Sequence, residues 1–379
     1  MKEAQEELYG NPGTQYSLGR KARDAVEKAR AQVAAAINAR PENIIFTSGG
    51  SESNNTVVAG LHDWLRTNDK DTFFYSGIEH ESLLYAISAI KIKHGFYARK
   101  IGVNGTGNVD FDKFKNLFRM NRAGIVSVMY MNNEIGTVQR HMKEMVEFTH
   151  QNGALFHTDC VQAFGSVPID VQEIGCDFMS LSSHKIHGPK GVGALYCSDA
   201  GFAALRPLIN GGEHQEFGLR GGTENVPGIV GFGEACAELK PEVYDYVSML
   251  SSRFIKTLYQ EAELRKLIDH FQLNNAFQNP SGKIISLTIH GIDNDLMQAV
   301  LDKRGICVGT GSACNSKSVQ SSHVLKAIGL SDRDAMSTIR VSFSKGNSLE
   351  EVKEAAREIV RATGELLRVS AAIIGGEEA

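Results

Sequence analysis

The feature that most limits what this chain can fold into is a recurring unit, in which a short apolar run closes on glycine or a polar residue and a segment of helical spacing follows. ENIIFTSGG followed by SESNNTVVAGLHDWL is the first instance. Similar runs recur at DTFFYS, AGIVSVMYM, GALFHTD, CDFMSLSSHK and VGALYCS, with helical stretches such as HMKEMVEFTHQ between several of them. Strands alternating with helices predict an α/β domain built on a mostly parallel sheet covered on both faces. Ahead of the first unit, RKARDAVEKARAQVAAAINA spaces Ala25, Val26, Ala29, Val33 and Ala36 along one face with charges between them. This is an amphipathic helix. After about Leu239 the texture changes to one long helix-like stretch, PEVYDYVSMLSSRFIKTLYQEAELRKL, and then to isolated strand-like runs at KIISLTIH and TIRVSFS. The closing SLEEVKEAAREIVRATGELLRVSAA is helical and opens on Ser-x-x-Glu, a capping-box signature. The expectation is a large domain over 14–238 and a smaller α+β domain over 239–379 joined by 1–13.

Two domains suit 379 residues, given a prior of roughly 150 residues each. A formal charge of −4 argues against a large nucleic-acid footprint, which would show as a basic domain or stripe. No stretch approaches the roughly 20 apolar residues of a membrane span. The start, MKEAQEELYG, lacks the basic and apolar parts of a signal peptide, so a cytoplasmic home is expected. The six cysteines form no CxxC pair and no zinc-ligand spacing, which suits reduced thiols. Cys160, Cys176, Cys197, Cys236 and Cys307 are read as small buried hydrophobes.

In open α/β sheets ligands bind beyond the carboxyl ends of the strands, so the polar residues there are the place to look for chemistry. Ser48-Gly49-Gly50-Ser51 at the head of a helix would suit a phosphate, although such turns are equally common for structural reasons alone. Asp159 ends the next informative strand, with Gln162 three residues on; helix capping is the plain alternative. CDFMSLSSHKIHGPKG then delivers Ser182, His184 and Lys185 to the same edge. A lysine there, beside a carboxylate and a phosphate cradle, suits Schiff-base formation with a carbonyl cofactor. Pyridoxal 5′-phosphate needs an amine for its aldehyde, an acid for its pyridinium nitrogen and donors for its phosphate. Lys185, Asp159 and Ser51 could supply them. His80, after FFYSGIE, could stack on such a ring, and Asn133, in MYMNNEIG, could reach a ring oxygen or a substrate carboxylate.

The chain resembles the group I cysteine desulfurases, within the class V aminotransferase-like, fold-type I enzymes. The likeness is carried, in order, by GNPGTQYSLGR, FTSGGSESNN, GIEHES, MNNEIGTVQ, HTDCVQAFG, SLSSHKIHGPKGVGALY, LRGGTENV, GTGSACNSKS and STIRVSFS. It implies a seven-stranded large-domain sheet and a pyridoxal-phosphate enzyme that converts L-cysteine to L-alanine. Lys185 would hold the cofactor, His80 would stack on its ring and shuttle protons, and Asp159 would pair with the pyridinium nitrogen. Gln162 and Asn133 would lie at the ring hydroxyl, with the phosphate held by Gly50, Ser51, Ser182 and His184 and by Thr223 of the partner subunit in a homodimer. Arg340 would clamp the substrate carboxylate. Cys314 matches the loop cysteine that takes the sulfur as a persulfide and passes it to an acceptor protein, such as an iron–sulfur scaffold or a thiolation protein. A glycine-rich loop suits that exposed, mobile role. Selenocysteine lyase shares the fold and most of the site, and a weakly active scaffold is the reading of a different class. Family members usually carry an earlier segment with an initial strand and an Ala-Thr-Thr run at the site entrance, which is absent here, so either the chain starts late or another element covers the site, and substrate binding and full activity turn on which. Ser51, Ser183 and Ser321 stand where threonine, glycine and proline are frequent, and none removes a required chemical group.

Overall fold

The computed structural model describes residues 1–274, 281–310 and 321–376. Cys314 lies outside the described residues. The chain divides into two compact units, one of Met1–Gly102, Val109–Met131 and Gln139–Lys240, the other of Val103–Asn108, Asn132–Val138 and Pro241–Ala379.

The larger unit carries strands β1 (Ile44–Thr47), β2 (Thr72–Ser76), β3 (Tyr97–Ile101), β4 (Ala123–Ser127), β5 (Leu155–Asp159), β6 (Phe178–Ser182) and β7 (Gly193–Cys197). They form one seven-stranded sheet in the order β1-β7-β6-β5-β4-β2-β3. Strands β2 to β6 pair in parallel. β7 alone runs against its neighbours β6 and β1. Every residue of β1, β4, β5, β6 and β7 is buried, which is why these strands are mostly apolar, and the polar His157 within them lies 2.7 Å from Ser127 Oγ and 3.0 Å from Ser180 Oγ. β3 is the exception, an edge strand with Tyr97, Arg99 and Lys100 exposed, and charge at an edge discourages pairing with another chain. On one face Ile45, Phe73, Ile125, Leu155, Phe178 and Leu195 pack against Val57, Leu83 and Ile87 of the helices Gly50–Gly60 and Glu81–His94 and against Leu61 just past the first. Each such side chain contributes about 1.5–3 kcal/mol on burial. This packing fixes both helix starts at the carboxyl edge of the sheet. The rung Ser182↔Gly193 closes the β6–β7 pairing at that edge.

Residues 1–13 belong to the larger unit and not with the C-terminal one. The helix Lys2–Glu7 buries Ala4 and packs on the helix Val226–Ala237, where the Met1 side chain lies over Gly231.

The smaller unit holds β8 (Phe271–Leu273), β9 (Ile284–Ile289), β10 (Gly309–Thr310) and β11 (Thr338–Ser342) in an antiparallel sheet of order β10-β11-β9-β8. Helices Pro241–Leu264 and Leu349–Gly376 cover it, with Leu250, Phe254, Leu258 and Ile359 packed on Ile285, Leu287 and Ile339. The capping box forms as the sequence predicts. Ser348 N–H donates to Glu351 Oε2 at 2.7 Å, and Glu351 N–H to Ser348 Oγ at 3.3 Å.

Cys160, Cys176, Cys197 and Cys236 are buried, but Cys307 is exposed. GICVG is strand only from Gly309 on, and in the irregular chain before it Val308 is buried while Cys307 is exposed. No described helix is long and apolar enough to cross a membrane.

Candidate functional site

Most of the residues singled out by sequence in the larger unit gather at the carboxyl ends of β1, β2, β5 and β6. After β1 the chain turns through Gly49, whose φ of 149° lies in a region side-chain-bearing residues rarely adopt. Gly50 then opens the helix Gly50–Gly60. A Cβ there would sit 2.4 Å from Val161 Cγ2, so only glycine lets the helix press onto the segment that follows Asp159. Gly49 has no side chain to cap the helix, and Ser53 N–H is the first to bond back, to Gly49 O at 3.1 Å. The N–H groups of the first turn are thereby left to other acceptors.

Ser182 ends β6, and its Oγ lies 2.8 Å from His184 Nδ1. A Cβ on Gly49 would be 3.8 Å from the same hydroxyl. The glycine turn and the Ser182–His184 pair are therefore neighbours, as a phosphate cradle demands. Lys185 is half-buried in the single turn Ser183–Ile186.

Asp159 ends β5 and is 4% exposed. Its Oδ1 accepts from Val161 N–H at 2.9 Å and its Oδ2 from Asn54 Nδ2 at 2.8 Å. Burial pushes its carboxyl above the usual range, opposed by those two donors and by its electrostatic interactions with His80 and Lys185. His80 caps the helix Glu81–His94, its Nδ1 accepting from Ser82 N–H at 3.1 Å. Glu79, just before it, is fully buried, and burial pushes its carboxyl up to about 8, with the charge of Asp159 adding to the effect.

Gln162 is buried close by in sequence, and its side-chain amide makes no hydrogen bond among the described residues. Thr223 is exposed, on a loop fastened to the helix Gly50–Gly60 by Arg220, whose Nε donates to Glu52 Oε1 at 3.0 Å. Burial opposes the Glu52 charge, but Arg220 and the donors of Ser48 hold its carboxyl below the usual range.

Asn133 and Arg340 belong to the smaller unit and meet there. Arg340 Nη1 donates to the Asn133 carbonyl at 3.0 Å, so it is the Asn133 backbone that is engaged. Arg340 Nε is buried and takes no partner among the described residues, an orphaned planar donor of the kind that a carboxylate fills. Its guanidinium lies across Gly309, its partner on β10, where a Cβ would come within 2.9 Å of Nη2.

These donor sets fit pyridoxal phosphate. Asp159 is an under-compensated buried carboxylate, for which a pyridinium N–H is the missing cation, and Lys185 acts on it from nearby. Among the described residues no group of three or more metal-ligating side chains occurs. Sequence reasoning missed Asn54, Ser82 and Glu79, which bond to or surround Asp159 and His80. All three stand within motifs already singled out, but asparagine and serine near a helix start look like ordinary caps.

The aminotransferase class-V family model matches residues 1–354. Among curated relatives, the putative cysteine desulfurase IscS 1 of Bacillus subtilis (strain 168) is 39% identical over 352 residues, covering 93% of this chain and 90% of its own length. Among solved structures, a NifS-like protein superposes with a TM-score of 0.84 at 31% identity, covering 95% of this chain and 93% of the other. SspA in complex with cysteine gives a TM-score of 0.76 at 33% identity, covering 90% and 93%. With the site at the strand ends, these matches define the class: the chain belongs to the class-V aminotransferase family. Within it, the chain falls in the cysteine desulfurase branch.

Proposed function

We propose that this chain is a pyridoxal-phosphate-dependent cysteine desulfurase, taking L-cysteine to L-alanine and leaving a persulfide on Cys314. The observation that carries this reading is Asp159, buried, bonded only to neutral donors, and acted on by the charges of Lys185 and His80.

Pyridoxal phosphate would supply an electron-withdrawing ring that makes the bonds around the cysteine α- and β-carbons labile. Lys185 holds it through the side-chain amine, and Asp159 accepts from its ring nitrogen. Gly50, Ser51, Ser182 and His184 hold the phosphate, joined by Thr223 of the partner subunit in a homodimer. Gln162 and Asn133 meet the ring hydroxyl. Arg340 binds the substrate carboxylate through the edge that includes its orphaned Nε. His80, over the ring, moves protons, and the Cys314 thiolate attacks the substrate sulfur. The carbon–sulfur bond breaks as the sulfur–sulfur bond forms, the carbon gains a proton, and alanine leaves. The persulfide passes to an acceptor protein in the cytoplasm, such as an iron–sulfur scaffold.

The purified chain with pyridoxal phosphate is expected to show the visible band of the lysine-bound cofactor, absent in Lys185→Ala. With cysteine it is expected to release alanine, and a mass spectrum should place one added sulfur atom on Cys314. No band, or full alanine release by Cys314→Ser, overturns the reading.

A further inference from the structure

Between Asp159 and His80 stand two residues that the reaction as proposed leaves without a part. The Asn54 side chain is 1% exposed, and its Nδ2 donates to Asp159 Oδ2 at 2.8 Å and to Ser82 Oγ at 2.9 Å. Ser82 Oγ lies 2.8 Å from His80 Nδ1, the atom that also accepts from Ser82 N–H. The direction of every bond in this chain follows from which atoms hold hydrogens. An amide nitrogen only donates, and the opposite amide orientation would set Oδ1 against a carboxylate. Oδ1 is instead left buried with no partner among the described residues. Ser82 Oγ therefore accepts from Asn54, and its one hydrogen points to His80 Nδ1. The backbone N–H of Ser82 cannot reverse either. With two donors on Nδ1, the neutral ring carries its hydrogen on Nε2.

We infer that Asn54 and Ser82 are positioning residues that pass the ionised state of Asp159 to His80 and keep the hydrogen of the neutral ring on Nε2. The inference rests on the reading of Asp159 and His80 as parts of a desulfurase site. Its consequence is a direction: neutral His80 presents Nε2–H to its reaction partner as a hydrogen-bond donor. Nε2 makes no hydrogen bond to the described residues, so it is available for that contact. Asp159→Asn removes the reason for the amide orientation. The Asn54 amide would turn over, its oxygen taking hydrogens from Asn at 159 and from Ser82, and His80 Nδ1 would lose the hydroxyl donor.

The test is nitrogen-15 spectroscopy of the full chain labelled at histidine, with and without pyridoxal phosphate, the His80 signals being those lost in His80→Gln. The expected result is an excess of the Nε2–H form in the wild type, cut about fivefold in Ser82→Ala, the effect of one neutral hydrogen bond. Asp159→Asn should make the same change, and no further change when Asn54→Ala is already present. A hydrogen on Nδ1 in the wild type, or one ratio shared by wild type, Ser82→Ala and Asp159→Asn, overturns the inference. If Asn54→Ala does not fold, Ser82→Ala, at a half-buried position, and Asp159→Asn decide the matter. Cofactor uptake is scored on the same samples. An Nε2 hydrogen in a protein that takes up no pyridoxal phosphate supports the inference and sinks the desulfurase reading, whereas uptake with an Nδ1 hydrogen sinks the inference alone.

Discussion

Glu216 and Asp159 are carboxylates of the larger unit, each 4% exposed, and the chain treats them in opposite ways. Glu216 receives both arms of Arg30, Nη1 to Oε2 and Nη2 to Oε1, each at 2.8 Å, and Phe46 N–H at 2.6 Å. Burial works against the Arg30 charge, yet Glu216 holds its pKa above the ordinary value. The pair anchors a turn in which Glu216 and Phe217 take φ of 42° and 58°, backbone that needs such support. Asp159 has only an amide and a peptide N–H on its oxygens. A carboxylate that holds the fold together is matched within the chain, whereas one that serves chemistry is left short of a cation. Glu79 is a third case: it accepts from Ser76 Oγ and, at 2.7 Å, from Met129 N–H, and burial raises its carboxyl to about 8.

The contrast breaks most visibly at Glu216. Glu216→Gln would leave the buried Arg30 with only the half-exposed Glu27 as counter-charge, and a loss of up to about 3–5 kcal/mol is expected, read from the denaturant midpoint of the cofactor-free chain. A loss under about 1 kcal/mol would show that the pair does not anchor the turn. Glu79→Gln sharpens the contrast through pH. The folded pKa of Glu79 lies above its ordinary 4.5, at about 8. Its stabilising contribution is therefore fully present below 4.5 and lost as pH rises through about 8, in line with linkage. The wild-type melting temperature should fall more than that of Glu79→Gln between about pH 5 and about pH 9, and parallel falls would place the titration elsewhere. The smallest effect is expected at Glu234, which meets Lys28 at 3.3 Å with 57% and 69% of the two side chains exposed. Glu234→Gln should stay within about 0.5 kcal/mol, an effect weakened further by salt.

The parallel strands were legible because a strand buried on both faces is largely apolar, as IIFT and AGIVS are, with polar residues confined mainly to β5 and β6. β3 went unread because an edge strand carries Arg99 and Lys100 in a pattern that resembles a loop. Lys185, Asp159 and His80 could be found because polar residues at strand ends are few and each is of a reactive type. Asn54 and Ser82 were hidden for the opposite reason, since their role lies in which neighbour each one bonds, and no residue spacing encodes that. Cys307 was misread because GICVG has the composition of a buried strand, while among the described residues the ladder begins at Gly309. The grouping of residues 1–13 failed because nothing in MKEAQEELYG names the helix Val226–Ala237 as its support.

The reversed strand β7 has one more consequence. Because Ser182 and Gly193 form a rung of the same ladder, the segment that carries His184 and Lys185 is a short loop clipped shut at its base. A short clipped loop has little chain entropy to gain by opening. The Ser183 N–H, which donates to Val192 O at 3.2 Å at the base of that loop, should therefore exchange with solvent more slowly than amides near the exposed tip, such as that of Lys190, in line with local opening. The lysine is thus held near the strand ends by the closed base of its own loop.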